Sequence, residues 1–319
     1  MCIRDRPYPV IRHHFGRPSL NETIEGIKKI SSSRLLDIIS IGPDQNTQEF
    51  FFHPEKMDKK QDGAGGVPLR SIEDFKSLYT ASRTGNYPLL RCYSGTNNII
   101  KMAEVLRDSI NNAWCAIPLC WYNELDNRSN RKLEESIAEN QLVMKWHAER
   151  NIPVEVNESH HWSLRYSPDS IAVAAAYLAA YNAKKMGVKV YISQYMFNTP
   201  SETSFIMDLA KMLAKIELIE SLHDNNFITL RQTRTGLYSY PPDYDESKGQ
   251  LASSILLQMQ LNPDILHVVA YCEANHAAKP EDIIESVKIA GKVIDNYLSL
   301  IHISEPTRPL YISYAVFCL

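Results

Sequence analysis

The chain of 319 residues is long enough for one large α/β domain or for two smaller domains. Its formal net charge of −3, without a basic stripe, gives no reason to expect nucleic-acid binding. No apolar run approaches the ~20 residues that span a bilayer. The six cysteines have no disulfide-framework spacing, which favours reduced thiols and a cytoplasmic location.

The two ends of the chain look foreign to the rest of it. Residues 1–6 and 298–319 resemble translated sequencing-adapter read-through, and we expect both to be non-native tails. The native part would then be a single domain over residues 7–297.

Helix signals and apolar runs alternate from residue 19 onward. Ser19 and Glu22 form a capping-box pattern that predicts the first helix, over residues 20–30. Apolar runs that end at turn residues predict eight strands, at residues 35–41, 67–70, 87–93, 114–121, 152–156, 188–197, 227–233 and 265–273. Further helices are predicted over residues 71–81, 97–111, 131–150, 167–183, 199–222 and 245–260, and from residue 279.

This order predicts an α/β fold of the (β/α)8 TIM-barrel type. Strict strand–helix alternation implies parallel strands, and eight units of roughly 30 residues match a closed barrel in count and size. An open doubly wound sheet would require a Gly-x-Gly-x-x-Gly turn after its first strand, and Gly42 with the later glycines does not supply one.

Residues at the C-terminal ends of the strands are the candidates for function, because the chemistry of such barrels takes place there. These ends carry polar, aromatic and charged side chains. They include Arg70, Arg91, Tyr122, Asn123, Glu155, Asn157, Glu158, His160, Gln194, Arg231, Tyr271, Glu273, Asn275 and His276.

Alternation along the fifth predicted strand places Glu155 and Asn157 on its polar face, which we expect to point into the barrel. By the same alternation Arg231 is expected to point inward. An unpaired carboxylate there costs several kcal/mol, so Arg91 or Arg231 should pair with Glu155. Inward guanidinium groups suit a small anion, although an ion pair with a purely structural role remains the alternative.

A metal site is not predicted from the sequence. Glu158, His160, His161, Glu273 and His276 are ligand types, but adjacent histidines rarely bind one ion and no helical His-x-x-x-His pair occurs. A serine nucleophile is not indicated either, because the chain has no Gly-x-Ser-x-Gly elbow.

The order and spacing of several short pieces resemble the catalytic barrel subunit of cobalamin-dependent glutamate mutase, the methylaspartate mutase family. The resemblance covers residues 20–297 loosely. Its pieces are Gly66-Val67-Pro68, Pro88-Leu89 before Arg91, the run 132–136, Val156-Asn157, the run 245–248 and Glu273-Ala274.

The resemblance implies an isomerase that rearranges the carbon skeleton of a small carboxylate-bearing substrate by radical chemistry. It also implies adenosylcobalamin, held over the barrel mouth by a separate small subunit whose Asp-x-His-x-x-Gly motif this chain lacks. A homodimer of barrels is compatible with it. The family's substrate-gripping arginines fall here opposite His14, near Asn46 and within one residue of Arg91, and its adenosyl-contacting lysine falls at Val269.

The strand ends and the resemblance together give the expected roles. The expected catalytic residues are His160, as proton donor, with Glu155 and Glu158. The expected substrate-binding residues are Arg70, Arg91, Tyr122, Asn123, Asn157 and Arg231. The expected cofactor-binding residues are Gln194, Tyr271, Glu273, Asn275 and His276.

The sequence leaves two other interpretations open. One is a metal-assisted hydrolase or lyase on the same fold, using Glu158, His160, Glu273 and His276. The other is a diverged barrel subunit that binds a partner and catalyses nothing.

Overall fold

The computed structural model describes residues 8–127, 130–157 and 159–303. Its strands are β1 (Val10–Phe15), β2 (Ile38–Ile41), β3 (Leu89–Cys92), β4 (Cys115–Ile117), β5 (Val154–Val156), β6 (Val190–Phe197), β7 (Ile228–Thr235) and β8 (Ile265–His267). Its α-helices are α1 (Leu20–Ser32), α2 (Gln45–Phe50), α3 (Ile72–Ser82), α4 (Ile99–Ile110), α5 (Leu133–Ala148), α6 (Ser159–Ser163), α7 (Asp169–Lys185), α8 (Phe205–Glu220), α9 (Tyr244–Gln258) and α10 (Pro280–Ile303).

The eight strands form one parallel sheet in the order β3-β2-β1-β8-β7-β6-β5-β4. Its two outer strands, β3 and β4, meet at a seam. There the Ala113 N–H donates to the Leu90 carbonyl at 2.9 Å, and the Ser94 N–H donates to the Ala116 carbonyl at 3.0 Å. The sheet is therefore closed into a barrel with helices between the strands, which confirms the predicted (β/α)8 fold.

The predicted number of strands is right, but three points about their positions need correction. Strand β1, over Val10–Phe15, was not predicted. The predicted strand at residues 67–70 is not a strand, because Val67 makes only an isolated bridge with Pro43. The eighth predicted strand ends at His267 instead of residue 273, and a 3-10 turn covers Tyr271–Ala274.

Local hydrogen bonds account for where several helices begin. The Ser19 hydroxyl accepts the Glu22 N–H at α1, and Ser71 with Asp74 forms a complete capping box at α3. Helix α8 begins later than predicted, after residue 204 instead of residue 199, because the Ser204 side chain caps it.

Apolar side chains fill the space between the sheet and the helices and also close the lower part of the barrel interior. The interior layer consists of Val10, Ile38, Trp114, Ile192, Leu230 and Ile265. Polar and charged side chains occupy the interior above that layer, towards the C-terminal ends of the strands. Because the apolar plug closes one end, any ligand must enter from the other.

No helix within the described ranges has both the length and the apolar character needed to cross a bilayer. Residues 1–6 and 304–319 of the two predicted foreign tails lie outside the described residues. Helix α10 continues to residue 303, through the predicted tail boundary at 297.

Candidate functional site

A cavity of about 250 Å³ opens at the C-terminal ends of the strands. Strands β1, β3, β5, β6 and β7 each contribute a charged or amide side chain to its wall. These side chains are Arg12, Arg91, Glu155, Gln194 and Arg234, with Asn157 just after β5. Of these residues, the sequence had singled out Arg91, Glu155, Asn157 and Gln194, and the fold brings them together in one place.

Glu155 is the buried anion at the floor of this cavity. Arg91 Nη2 lies 2.8 Å from its Oε1, and Arg12 Nη1 lies 3.4 Å from its Oε2. Trp114 Nε1 and Gln194 Nε2 also donate to the carboxylate. Burial by itself raises the pKa of Glu155, but Arg91, Arg12 and these donors together hold the pKa below its usual value. Both oxygens are engaged, so Glu155 is held as a charged counter-ion.

Arg12 links four strands through its guanidinium group. Its Nε donates to Ser40 Oγ at 2.6 Å, and its Nη1 donates to both Gln232 Oε1 and Glu155. Its Nη2 lies 2.8 Å from Nε2 of His14. Because arginine can only donate, Nε2 of His14 must be the acceptor, and the hydrogen-bond network assigns the proton of the neutral ring to Nδ1.

His14 is a neutral group at the cavity wall. Burial lowers the pKa of His14 well below its usual value, and Arg12, Arg91 and Arg234 lower it further. Its ring lies 4.8 Å from the ring of His267, measured between centroids. The site therefore has an uncharged imidazole beside its three arginines.

The arginines of the cavity outnumber its carboxylate. Arg12, Arg91 and Arg234 face Glu155, and burial lowers the pKa of Arg234, but a guanidinium group remains protonated at neutral pH. Arg234 makes a single hydrogen bond within the described part of the chain, from Nε to the Thr235 carbonyl at 3.4 Å. Arg91 Nε has no partner among the described residues. Unused guanidinium donors beside a small cavity can bind an anion.

Gln194 and Asn157 complete the floor. The Gln194 amide nitrogen donates to both Glu155 and Asn157 Oδ1, the latter at 2.5 Å. Its Oε1 is buried without a partner among the described residues. Gln194, expected to contact a cofactor, therefore lies deep in the cavity where it can meet a substrate.

Aromatic side chains form the rim of the cavity. Tyr93, Tyr122 and His161 line it, with ring centroids 5.8 Å apart for the tyrosines and 6.5 Å apart for Tyr122 and His161. Tyr122 has a φ of +62°, a rare conformation for a bulky residue. Such conformations concentrate at binding sites, where the surrounding structure holds them.

Arg231 does not point into the barrel, contrary to the prediction. Its Nη2 lies 2.7 Å from Glu220 Oε1, and its Nη1 donates to the Leu261 carbonyl at 2.8 Å. Leu230 belongs to the apolar plug, so the inward positions of β7 are 230, 232 and 234. The prediction assumed that aliphatic residues always face the helices, and the plug breaks that rule.

Two other residues expected to bind substrate are part of the loop structure. Arg70 pairs with Asp44 and Asp62, which ties the loop after β2 together. The Asn123 side chain accepts the Leu125 N–H at 2.8 Å within a tight turn. Neither lines the cavity.

Two of the expected cofactor contacts point away from the cavity. The Tyr271 hydroxyl donates to Glu285 Oε2 at 2.6 Å, on α10. Asn275 Nδ2 donates to the Pro242 carbonyl at 2.8 Å. Both orient the loop after β8 against its neighbours.

Glu273 lies at the rim, where it lines a second cavity of about 180 Å³ that shares His14 with the first. Burial raises the pKa of Glu273, and Arg234 opposes that shift. His276, the remaining expected cofactor contact, has its Nε2 3.0 Å from Asp282 Oδ2.

Two expected catalytic residues cannot be placed. Glu158 and the side chain of His160 lie outside the described residues, so their roles remain predictions. Sequence reasoning missed Arg12, His14 and Arg234 as site residues. Arg12 and His14 are two positions apart, which places them on the same face of a strand, and this spacing could have indicated that both point into the barrel.

The comparisons with known proteins support the fold alone. No protein-family profile and no curated protein match the sequence. The chain is similar in structure to a spore coat polysaccharide biosynthesis protein from Bacillus subtilis, at 10% identity and a TM-score of 0.54, over 97% of this chain and 75% of that one. It is also similar to hydroxymethylglutaryl-CoA lyase from Pseudomonas aeruginosa, at 10% identity and a TM-score of 0.50, over 97% and 99% of the two chains.

Proposed function

We propose that the chain is an enzyme that binds a small carboxylate- or phosphate-bearing substrate in the cavity at the barrel mouth. The observation that carries this proposal is the charge of the site. Three arginines, Arg12, Arg91 and Arg234, surround one buried carboxylate, Glu155, in a cavity of about 250 Å³. A surplus of oriented guanidinium groups in a partly desolvated cavity favours a bound anion.

The arginines divide the work between them. Arg12 is committed to Glu155, Ser40 and Gln232, and its role is to hold the floor of the site. Arg91 and Arg234 retain unused donors and are the groups that bind the anion. Glu155, fixed by four donors, positions these cations and is not the proton acceptor of the reaction.

The polar groups around the anion orient the rest of the substrate. The neutral His14 offers its Nδ1–H, and Gln194 offers its free amide oxygen. Tyr93, Tyr122 and His161 at the rim shield the substrate from water. A neutral imidazole beside arginines can polarise a substrate oxygen without first losing a proton of its own.

The finer proposal is an isomerase of the cobalamin-mutase type in the cytoplasm, with a separate cobalamin-binding small subunit. The support is the barrel fold, the anion cavity and the rim position of Glu273, which suits a ribose hydroxyl. Adenosylcobalamin, when bound, supplies the radical chemistry. This chain's residues would bind and orient the substrate and exclude water.

Calorimetric titration with succinate and with inorganic phosphate tests the anion site. Arg234→Met should weaken anion binding by about tenfold or more, because a desolvated charged contact is lost. Arg231→Met, on the same strand but outside the barrel, is the matched control and should bind as the native chain does. Equal affinity in the Arg234→Met variant, or binding of neutral succinamide as tight as that of succinate, overturns the proposal.

Spectral titration with adenosylcobalamin tests the finer proposal separately. The barrel mixed with a cobalamin-binding small subunit should perturb the corrinoid spectrum, and Glu273→Gln should weaken that effect. An unchanged spectrum in the presence of an anion-binding barrel would reject cobalamin while leaving the anion site standing.

A further inference from the structure

Three side chains of metal-ligand type converge beside the barrel mouth, in the loop after β8 and the first turn of α10. They are Cys272, His276 and Asp282, and their ligand atoms all lie within 4.8 Å of one another. We propose that this cluster, the Cys-His-Asp cluster, binds a divalent zinc-class metal ion with one coordination position left open. The proposal is independent of the anion site.

The donor set selects the class of metal. A thiolate sulfur, an imidazole nitrogen and a carboxylate oxygen are ligands that zinc and its neighbours accept, whereas magnesium and calcium prefer oxygen alone. Ligand atoms of a tetrahedral zinc site lie about 3.3–3.8 Å apart, given bonds of about 2.0–2.3 Å. The cluster needs only a small adjustment to reach that spacing.

Neighbouring groups already orient the ligands. The Tyr244 hydroxyl lies 3.5 Å from Nδ1 of His276, which turns Nε2 of that ring towards Asp282. The Lys279 N–H donates to the Asp282 carboxylate at 2.9 Å and fixes it at the start of α10. Outer partners that hold a histidine ring and a carboxylate in this way are characteristic of metal sites.

The three residues of the Cys-His-Asp cluster differ in how far they are exposed to solvent. Cys272 is fully buried, whereas the side chains of His276 and Asp282 are 35% and 16% exposed. An ion can therefore enter past His276, with the thiol behind it and solvent in front. Three protein ligands with a solvent position are the arrangement of catalytic zinc sites, whereas structural sites have four protein ligands.

The cluster lies next to the proposed substrate region. Glu273, adjacent to Cys272 in the chain, lines the 180 Å³ cavity that shares His14 with the anion cavity. An ion bound by the cluster could accept an oxygen ligand at its open coordination position. The chemical class of such a ligand is a hydroxyl, carbonyl or carboxylate oxygen.

Metal binding would change the state of the thiol. Without metal, burial and the nearby carboxylates of Asp282 and Glu273 together raise the pKa of Cys272 to about 12. The thiol is then protonated at neutral pH. Coordination forms a metal–sulfur bond and releases the thiol proton to water, so each bound ion gives one metal thiolate and one proton.

The competing explanation is that the cluster only caps α10 through hydrogen bonds. Titration of the full chain with cobalt(II) distinguishes the two, because cobalt bound to a thiolate gives a charge-transfer band in the near ultraviolet. We expect this band to saturate at one ion per chain and to disappear when zinc is added. Elemental analysis after dialysis against zinc should give one zinc per chain.

Three variants complete the test. Cys272→Ser should abolish the cobalt–thiolate band, and His276→Ala should weaken metal binding by about tenfold or more. Cys120→Ser, which removes a cysteine outside the cluster, should keep both the band and the affinity. Circular dichroism melting establishes that each variant is folded. The metal site is refuted, and only the capping role remains, if the native chain binds no stoichiometric ion or if a folded Cys272→Ser variant retains the band.

Discussion

Arg12 on β1 and Glu155 on β5 meet inside the barrel, with Arg12 Nη1 3.4 Å from Glu155 Oε2. The two residues are 143 positions apart in the sequence, and both are buried. Their contact spans the interior just above the apolar plug. The charged floor of the cavity is therefore also a cross-link between opposite walls of the barrel.

Glu155→Gln should destabilise the fold by about 3–5 kcal/mol, because it leaves buried arginines without their counter-ion. Glu220→Gln, which breaks the half-buried pair with Arg231, should cost about 1 kcal/mol or less. Urea unfolding of both variants measures the difference. The pKa of Glu155 is lowered in the fold, so its contribution is present at pH 7 and is lost only as the pH falls through that lowered value. Similar losses for the two variants would contradict the assigned role of Glu155.

His147 should make the fold sensitive to mild acid. Burial lowers its pKa from 6.5 to about 4, with the His147 ring held against the Val143 carbonyl at 2.8 Å. The unfolded chain takes up a proton near pH 6.5 and the folded chain does not, so stability falls between pH 6.5 and 4 by on the order of 3 kcal/mol. In the His147→Gln variant, the melting temperature should depend less on pH over this range. His53→Gln, at an exposed position, is the control, and an unchanged slope in His147→Gln would refute the prediction.

Lys215→Met should stabilise the protein. Burial, together with the nearby ammonium group of Lys211, lowers the pKa of Lys215 to about 7, so keeping the ammonium inside is costly. The unfolded lysine titrates near 10.5, so the gain should be about 2 kcal/mol or more at pH 7 and should shrink as the pH rises towards 10.5. Lys60→Met, at an exposed lysine, should change stability little. Thermal melts of both variants and the native chain at pH 7 and pH 10 measure the gain in stability. A gain for Lys215→Met that grows with pH would show that the buried ammonium is not its cause.

Gly66→Ala should disturb the mouth of the barrel. A β-carbon at Gly66 would overlap the carbonyl oxygen of Gly42, and backbone cannot move aside as a flexible side chain can. Gly249→Ala, in the exposed part of α9, meets no atom within 4 Å and should stabilise the helix by about 0.5–1 kcal/mol. In chemical unfolding, the free energy of unfolding should fall for Gly66→Ala and rise for Gly249→Ala. If Gly66→Ala leaves the stability unchanged, the segment after β2 packs loosely enough to admit a methyl group between Gly42 and Gly66.

Much of the fold could be predicted because the helices and most strands have strong periodic patterns. Strand β1 escaped because its sequence, from Val10 to Phe15, holds arginine and two histidines instead of an apolar run. Arg12 and His14 point into a charged interior, which no local pattern reveals. The run at residues 67–70 resembles a short strand because Val67 and Leu69 are apolar and buried, yet Val67 makes only an isolated bridge with Pro43.

The site could be predicted only where inward and outward positions were assigned correctly. Glu155 and Asn157 line the cavity as expected, because their aliphatic neighbours Val154 and Val156 face the helices. Arg91 on β3 also lines the cavity. On β7 the aliphatic Leu230 faces inward, so Arg231 was chosen in place of Arg234. Which face of a strand points into the barrel depends on interior layers that are formed by residues far away in the sequence.

The charged interior of the barrel is connected to the seam between β3 and β4. The backbone hydrogen bonds across the seam come from Ser94, which follows β3, and from Ala113, which precedes β4. The side chain of Arg91 reaches from β3 past β4 to Glu155 on β5. An anion that binds Arg91 would therefore contact a side chain that crosses the seam. We expect a bound anion to make the seam more rigid. Slower hydrogen exchange at the backbone amides of Ser94 and Ala113 would measure this effect.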